Sequence, residues 1–369
     1  MKVVLAYNTY TGVSGEQIFF QNISKKLPDA LSKYGFDVSC CRIPHVSNPH
    51  LAKIEFYSRL PLLINTYRHL KKFENYDVIH FLNASIAPAG IRLKNRVKIA
   101  TNHCLGKSLF ELAPSGNIFG KGAESLYLSF YSRLDRKAYQ NLDRLVAITP
   151  YQAMDLMGTY GIEKSKIRVI PAGIDIGYYE NVQKKDLRAE YGYDEIIVYL
   201  GRLQERSKGI SYLIRAMKSI ERKNVGLLLI GEGPDRRLYE KMIREEGLNE
   251  KVKVLGRLDY DTKSPIQKSA DVIVVPSIYD VFCLTFAESL ACGVPVVAFD
   301  MPFWKGLYDD AALFVKKDPK SLAEGIERML DDKNLRKQVI SNGQHLADKY
   351  DVNETVKSYV ELYRSFLSK

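Results

Sequence analysis

Short apolar runs alternate along this chain with longer stretches of helical periodicity. "KVVLAY" from Lys2, "DVIHFL" from Asp77, "RVKIAT" from Arg96, "RLVAIT" from Arg144 and "KIRVI" from Lys166 read as strands buried on both faces. That alternation predicts βαβ units on a parallel sheet. Beyond "PAGID" (Pro171 to Asp175) and a polar, tyrosine-rich stretch to Tyr193, the pattern restarts with "EIIVYLG", "VGLLLIG", "VKVLG", "DVIVVP" and "VPVVAF". A second doubly wound sheet is expected, giving an α/β chain of two Rossmann-like halves, residues 1–172 and 173–351, facing a central cleft. The break falls near Pro171 and Gly173, because the residue before proline is extended and glycine accepts conformations that other residues refuse. Ligands of open α/β sheets sit beyond the carboxyl ends of the strands, so motifs at strand ends carry the most weight.

Composition fits this division. At 369 residues the chain exceeds the size at which one core stops growing, and 46% hydrophobic with 26% charged residues is soluble globular usage. No apolar run approaches the roughly 20 residues of a membrane span, and "MKVVLAYNTY" turns polar too early for a secretory signal, so a cytoplasmic location is expected. Cys40, Cys41, Cys104, Cys283 and Cys292 are odd in number and form no CxxC pair, which indicates neither a disulfide framework nor a zinc site.

Charge is uneven. Residues 1–172 carry 23 Lys and Arg against 12 Asp and Glu, while residues 173–369 carry 31 of each, so the whole net charge of +11 lies in the first half. That half suits an acidic partner. "YSRLPLLINTYRHLKKF" (Tyr57 to Phe73) sets Leu60, Leu63, Tyr67 and Leu70 at helical spacing among Arg59, Arg68, His69, Lys71 and Lys72, a pattern able to lie on an anionic membrane surface. The plainer use of such a helix is to pack on its sheet with its cations solvated. Nucleic acid lacks support, since no recognition helix, zinc spacing or aromatic-basic module is present.

Two stretches carry candidate chemistry. "VYLGRLQERSKGISYLI" places Gly201 and Arg202 just past a strand and Lys208 and Gly209 at the start of a helix, where a guanidinium and an ammonium beside helix N–H donors could clamp a diphosphate. Alone, such a pair is more often two solvated cations. "YDVFCLTFAESLACGVPVV" (Tyr279 to Val297) sets Asp280 in a loop and Glu288 in the following helix, and carboxylates accept paired hydrogen bonds from the vicinal diols of ribose or sugar. Seen alone, Glu288 could equally serve the helix N-terminus. "DYD" at Asp259 to Asp261 invites a metal reading, which its place in a loop does not favour.

"GRL…KG", then "GEGPDRRLYEKMIREEGLNEKVKVLGRL", then the paired acids followed by "SLACGVPVV", together resemble the retaining glycosyltransferases of family four, with the GT-B fold. "VIPAGID" and "GVSGEQ…LSKYGFDV" extend the resemblance into the first half. It implies transfer of a hexose from a UDP- or GDP-sugar to a glycan or lipid-linked acceptor, without metal or other cofactor; the basic helix of the first half adds a peripheral place on the inner membrane face as an expectation. Arg202 and Lys208 match the pyrophosphate clamp, Glu288 the acid that binds ribose, and Asp280 the position of an acid that holds sugar hydroxyls, one methylene longer in the family. Cys283 stands where the family usually has glycine, and the amides of Cys283, Leu284 and Thr285 would approach the sugar and β-phosphate. His103 matches a histidine near the reaction centre, as a neutral or a charged imidazole. Gly12 and Gly15 resemble the phosphate- or acceptor-side loop, Gly201 belongs to the clamp turn, and Arg257 and Leu258 resemble the base-pocket segment. The last helix, from about residue 352, is implied to pack back on the first half. A non-catalytic or differently acting nucleotide-sugar binder of the same fold is the alternative.

Overall fold

Most segments apolar on both sides of the pleat became inner strands, but "KIRVI" and "VKVLG", expected to be buried, lie at the sheet edges, where one side meets no neighbouring strand. The computed structural model describes residues 1–8, 15–44, 59–103 and 120–367, without the side chains of 15–18 and 120–128. Gly12, Cys104 and most of the loop "ELAPSGNIFGKGAESLY" lie outside the described residues.

Residues 1–173 and 352–369 form one compact unit, and residues 174–351 the other. The first unit holds strands β1 (Lys2–Asn8), β2 (Asp37–Ile43), β3 (Val78–Phe81), β4 (Val97–Asn102), β5 (Arg144–Ala147) and β6 (Ile167–Val169), all parallel, in the order β2-β1-β3-β4-β5-β6. The second holds β7 (Glu195–Leu200), β8 (Val225–Ile230), β9 (Val252–Gly256), β10 (Val272–Val275), β11 (Val296–Phe299) and β12 (Leu313–Val315), also parallel, in the order β12-β11-β10-β7-β8-β9. Each sheet therefore reverses its winding once, between β1 and β3 and between β7 and β10. Those reversals leave a crevice at the carboxyl ends of the two strands.

Two strands lie outside the apolar pattern. β2, "DVSCCRI", is an edge strand whose residues alternate between exposed and buried, so it lacks a continuous apolar run. β12 has three half-buried residues, too few to register as a period.

The helix Val352–Arg364 belongs to the first unit and buries Val356, Tyr359 and Tyr363. Its two tyrosines end in a wholly buried polar chain. The Tyr363 hydroxyl lies 2.6 Å from His80 Nδ1, His80 Nε2 lies 2.9 Å from Thr101 Oγ1, and that hydroxyl lies 2.8 Å from the Tyr359 hydroxyl. Every member is satisfied, which is the condition under which a buried polar network stabilises.

The helix Arg59–Leu70 buries Leu62, Leu63, Thr66 and Leu70 against the sheet. Arg59 is not a solvated cation. Its guanidinium forks onto the buried carboxylate of Asp135, donates to the Ser85 carbonyl at 3.1 Å and lies over the Tyr131 ring. Leu60, at an apolar position of the stripe, points outward and is 51% exposed; Ile64, one turn on, is 48% exposed. Among the described residues no helix is long and apolar enough to cross a membrane.

Burial pushes the His80 pKa down to about 3, with the nearby His103 adding to the effect, so the fold holds a neutral imidazole. The unfolded chain binds a proton near pH 6.5 that the folded chain refuses until about 3. Stability from this residue is therefore complete above pH 6.5 and lost as the pH falls. Between pH 7 and 5 the loss amounts to about 2 kcal/mol. Urea unfolding followed by circular dichroism is expected to show it, and His80→Gln to remove that part of the pH dependence.

Candidate functional site

The site residues of the second unit gather where its strand order reverses. β7 ends at Leu200 and runs into Gly201 and Arg202; β10 ends at Val275 and runs into the loop that holds Asp280. Lys208 closes a single helical turn, Glu205–Lys208, and does not open the long helix that follows. Gly209 then turns the chain in a left-handed conformation, φ 57°, into the helix Ile210–Ser219. Glycine is required there twice over, since a Cβ would also lie 2.6 Å from the Pro276 carbonyl. The close approach brings the β7 and β10 loops together.

Lys208 Nζ donates to Asp280 Oδ2 at 2.5 Å, with the two side chains 22% and 15% exposed. Asp280 also accepts from the backbone N–H of Val281 at 2.9 Å. Burial opposes the ammonium charge, but Asp280 outweighs it and the Lys208 pKa is raised. Arg202 is exposed on the same edge, and its carbonyl accepts from the Tyr199 hydroxyl at 2.9 Å.

Beyond Asp280 lies the helix Leu284–Ala291, whose preceding residue, Cys283, has φ 55° and is the only non-glycine with positive φ among the described residues. The position is one that glycine takes without strain, which agrees with the glycine that the family pattern places here. Burial, then the charge of Asp280, raises the thiol pKa above its ordinary range, so Cys283 stays a thiol. The amides of Leu284 and Thr285 open the helix, where no preceding turn supplies acceptors and the helix dipole is positive.

Glu288 is the fifth residue of that helix, not its cap, and is 2% exposed. Its Oε2 accepts from Lys263 Nζ at 2.9 Å. Lys263 sits on the helix Tyr260–Ser269, where Asp259 caps the N-terminus by accepting the Thr262 N–H at 2.7 Å and Asp261 accepts from the Tyr178 hydroxyl at 3.2 Å. The "DYD" stretch is thus not the loop that the sequence suggested: Asp259 caps a helix that Tyr260 and Asp261 open. Arg257, exposed, and Leu258, half-buried, follow β9 on the same edge, two strands from the reversal. The pairing of each acid with a lysine escaped sequence reasoning for Lys263, which looks like a solvated helix cation.

In the first unit, His103 follows β4. Its Nε2 lies 2.9 Å from the Leu82 carbonyl, and its ring meets the edges of Phe19 and Phe20 at 4.7 and 5.5 Å. Burial lowers its pKa to about 4, against the pull of the Leu82 carbonyl. Of the two charge states left open by the sequence, the neutral one is held, with the proton on Nε2 because a carbonyl only accepts. Gly15 opens the helix Gly15–Ser32. Asn8 and Asn83, at the ends of β1 and β3, bond at 3.1 Å, and neither stood out in the sequence.

Residues 183–346 match the family described as glycosyl transferases group 1, and residues 23–178 match Glycosyltransferase Family 4. An uncharacterized glycosyltransferase of Methanocaldococcus jannaschii is 27% identical over 306 residues, covering 79% of this chain and 76% of its own. The phosphatidyl-myo-inositol mannosyltransferase of Mycobacterium leprae is 24% identical over 336 residues, 88% of this chain and 82% of its own. Two further relatives are matched over 49% and 36% of their own length. Among solved structures, HepE of Anabaena in complex with UDP superposes with a TM-score of 0.74 at 18% identity, over 99% of this chain and 100% of that one. The fold is that of the GT-B glycosyltransferases.

If Cys283 holds a left-handed backbone, Cys283→Gly is expected to be more stable than Cys283→Ala by about 1 kcal/mol, both variants lacking the thiol. Urea unfolding read from the single tryptophan, Trp304, which is buried against Phe286 of the same helix, measures the difference.

Proposed function

Since the chain belongs to the group 1, family 4 glycosyltransferases, we propose that it moves a hexose from a UDP- or GDP-sugar to a hydroxyl acceptor with retention of anomeric configuration. One observation carries this reading: Arg202, Lys208 and Asp280 stand at the ends of β7 and β10, at the strand reversal, beside the N-terminus of Leu284–Ala291. The donor diphosphate would lie against Arg202, Lys208 and the amides of Leu284 and Thr285, which meet the charge that grows on the leaving group. Asp280 would accept sugar hydroxyls, and Glu288 those of the ribose. No metal is assigned, because the two cations and the helix N-terminus supply the positive field. Attack comes from the face that the diphosphate leaves, with a phosphate oxygen taking the acceptor proton. His103, as a neutral imidazole, would contact the sugar. Binding energy and orientation carry most of the rate in such a scheme.

A non-catalytic nucleotide-sugar binder is the second reading, favoured by the Cys283 backbone and by the tie of Lys208 to Asp280. Calorimetry with UDP-, GDP- and ADP-sugars and the free diphosphates separates the cases. We expect one nucleotide series to bind, and Arg202→Ala and Glu288→Ala each to weaken it at least about tenfold, from lost charged hydrogen bonds. Binding without turnover of any donor would favour the second reading; no binding would remove the first.

For the acceptor we propose a glycan or a lipid-linked species met at the inner membrane face by a cytoplasmic protein. Leu60 and Ile64 are exposed on one helix, followed by exposed Arg68, Lys71 and Lys72, a mixed apolar and basic face suited to anionic lipid. In low salt the protein is expected to float with anionic vesicles, and Leu60→Ser/Ile64→Ser to stay behind. A wild-type protein that fails to float removes the membrane from this account.

A further inference from the structure

The Lys263–Glu288 pair joins two elements that the proposed donor site needs in register. Glu288 is 2% exposed and Lys263 16%, and an acid so buried calls for a compensating charge. Lys263 supplies it at 2.9 Å while lying over the Tyr260 ring, 4.7 Å from its centre. One turn further along the same helix, Gln267 Nε2 donates to the Thr285 carbonyl at 3.2 Å and to Ser289 Oγ at 2.9 Å. Lys263 and Gln267 therefore share one face, spaced four apart, and fasten Tyr260–Ser269 to the residues that open and line Leu284–Ala291. The Tyr179 hydroxyl bonds to Glu288, and the Tyr260 hydroxyl, 2.5 Å from that of Tyr179, completes the surroundings of the carboxylate.

We propose that Lys263 is a positioning residue for nucleotide binding: by occupying Oε2 of Glu288 it holds that side chain turned, so that the carboxylate's remaining lone pairs receive the vicinal hydroxyls of a nucleoside diphosphate. A carboxylate has about four acceptor sites, so the ammonium and the Tyr179 hydroxyl together still leave enough for a diol. The inference rests on the donor-site reading given above. It adds a residue that nothing in the paired-acid spacing reveals, and it makes nucleotide affinity depend on a cation that touches no nucleotide.

The test is calorimetric binding of UDP and GDP to the full chain and its variants. Taking whichever nucleotide binds the wild type, Lys263→Met is expected to weaken it about tenfold or more, the scale of a lost charged hydrogen bond. Lys263→Arg should restore most of the loss, because the charge returns. Glu288→Gln should weaken binding comparably, and the double variant Lys263→Met/Glu288→Gln should bind no worse than Glu288→Gln, since Lys263 acts through that carboxylate. The double variant leaves no buried unpaired charge, so it keeps the comparison open if Lys263→Met folds poorly. A Lys263→Met protein with lowered thermal stability but unchanged affinity would make the lysine structural and overturn the inference alone, as would full additivity in the double variant. A folded wild type that binds neither nucleotide removes the donor-site reading, and this inference with it.

Discussion

Two carboxylates of one short segment are each held by a lysine from a different element, and the arrangement at the carboxyl edge of the second sheet depends on those pairs. Lys208 ties the loop after β7 to the loop after β10, and Lys263 ties the helix Tyr260–Ser269 to Leu284–Ala291. Such pairs add little net stability, because removing both charges from water offsets most of their attraction. What they determine is direction. With Asp280 held by Lys208 on one oxygen and by the Val281 N–H on the other, and Glu288 held by Lys263, two flexible side chains become fixed acceptors.

The topology explains why these particular loops meet. Winding outward from β7 to β8 and β9 and then returning to β10 places the ends of β7 and β10 side by side without a helix between them. The backbone must then turn sharply in little space. Gly209 takes a left-handed turn against the Pro276 carbonyl, and Cys283 takes one immediately before the helix Leu284–Ala291. A thiol at the second position is tolerated at the cost of local strain, of the kind that collects at binding sites.

Much of the fold was legible in the order of residues. The apolar runs at Lys2, Asp77, Arg96 and Arg144 and those at Glu195, Val225, Asp271 and Val294 are the inner strands, because a strand covered on both faces must be apolar throughout. β2 and β12 were not legible, since an edge strand meets water along one side and its pattern dissolves into ordinary polarity. Leu60 sat on the apolar stripe of its helix yet faces outward, and Arg59 among the cations yet is clamped on Asp135. Periodicity gives the width of an apolar face but not which neighbour covers it. Lys263 was unreadable for a related reason: a lysine in a polar helix looks solvated until a buried acid is found opposite.

By itself the sequence determined the element types, the parallel α/β class, the glycosyltransferase motifs and the residue identities at the strand ends. These are local properties, set by periodicity over a few residues and by the chemistry of single side chains. Tertiary structure alone decided the pairings: Lys208 with Asp280 across 72 residues, Lys263 with Glu288 across 25, His80 with Tyr363 across 283. It also decided that His80 and His103 are neutral. A charge state depends on burial and on the nearest opposite charge, and both are settled by which strands come to lie side by side, a relation that no stretch of adjacent residues contains.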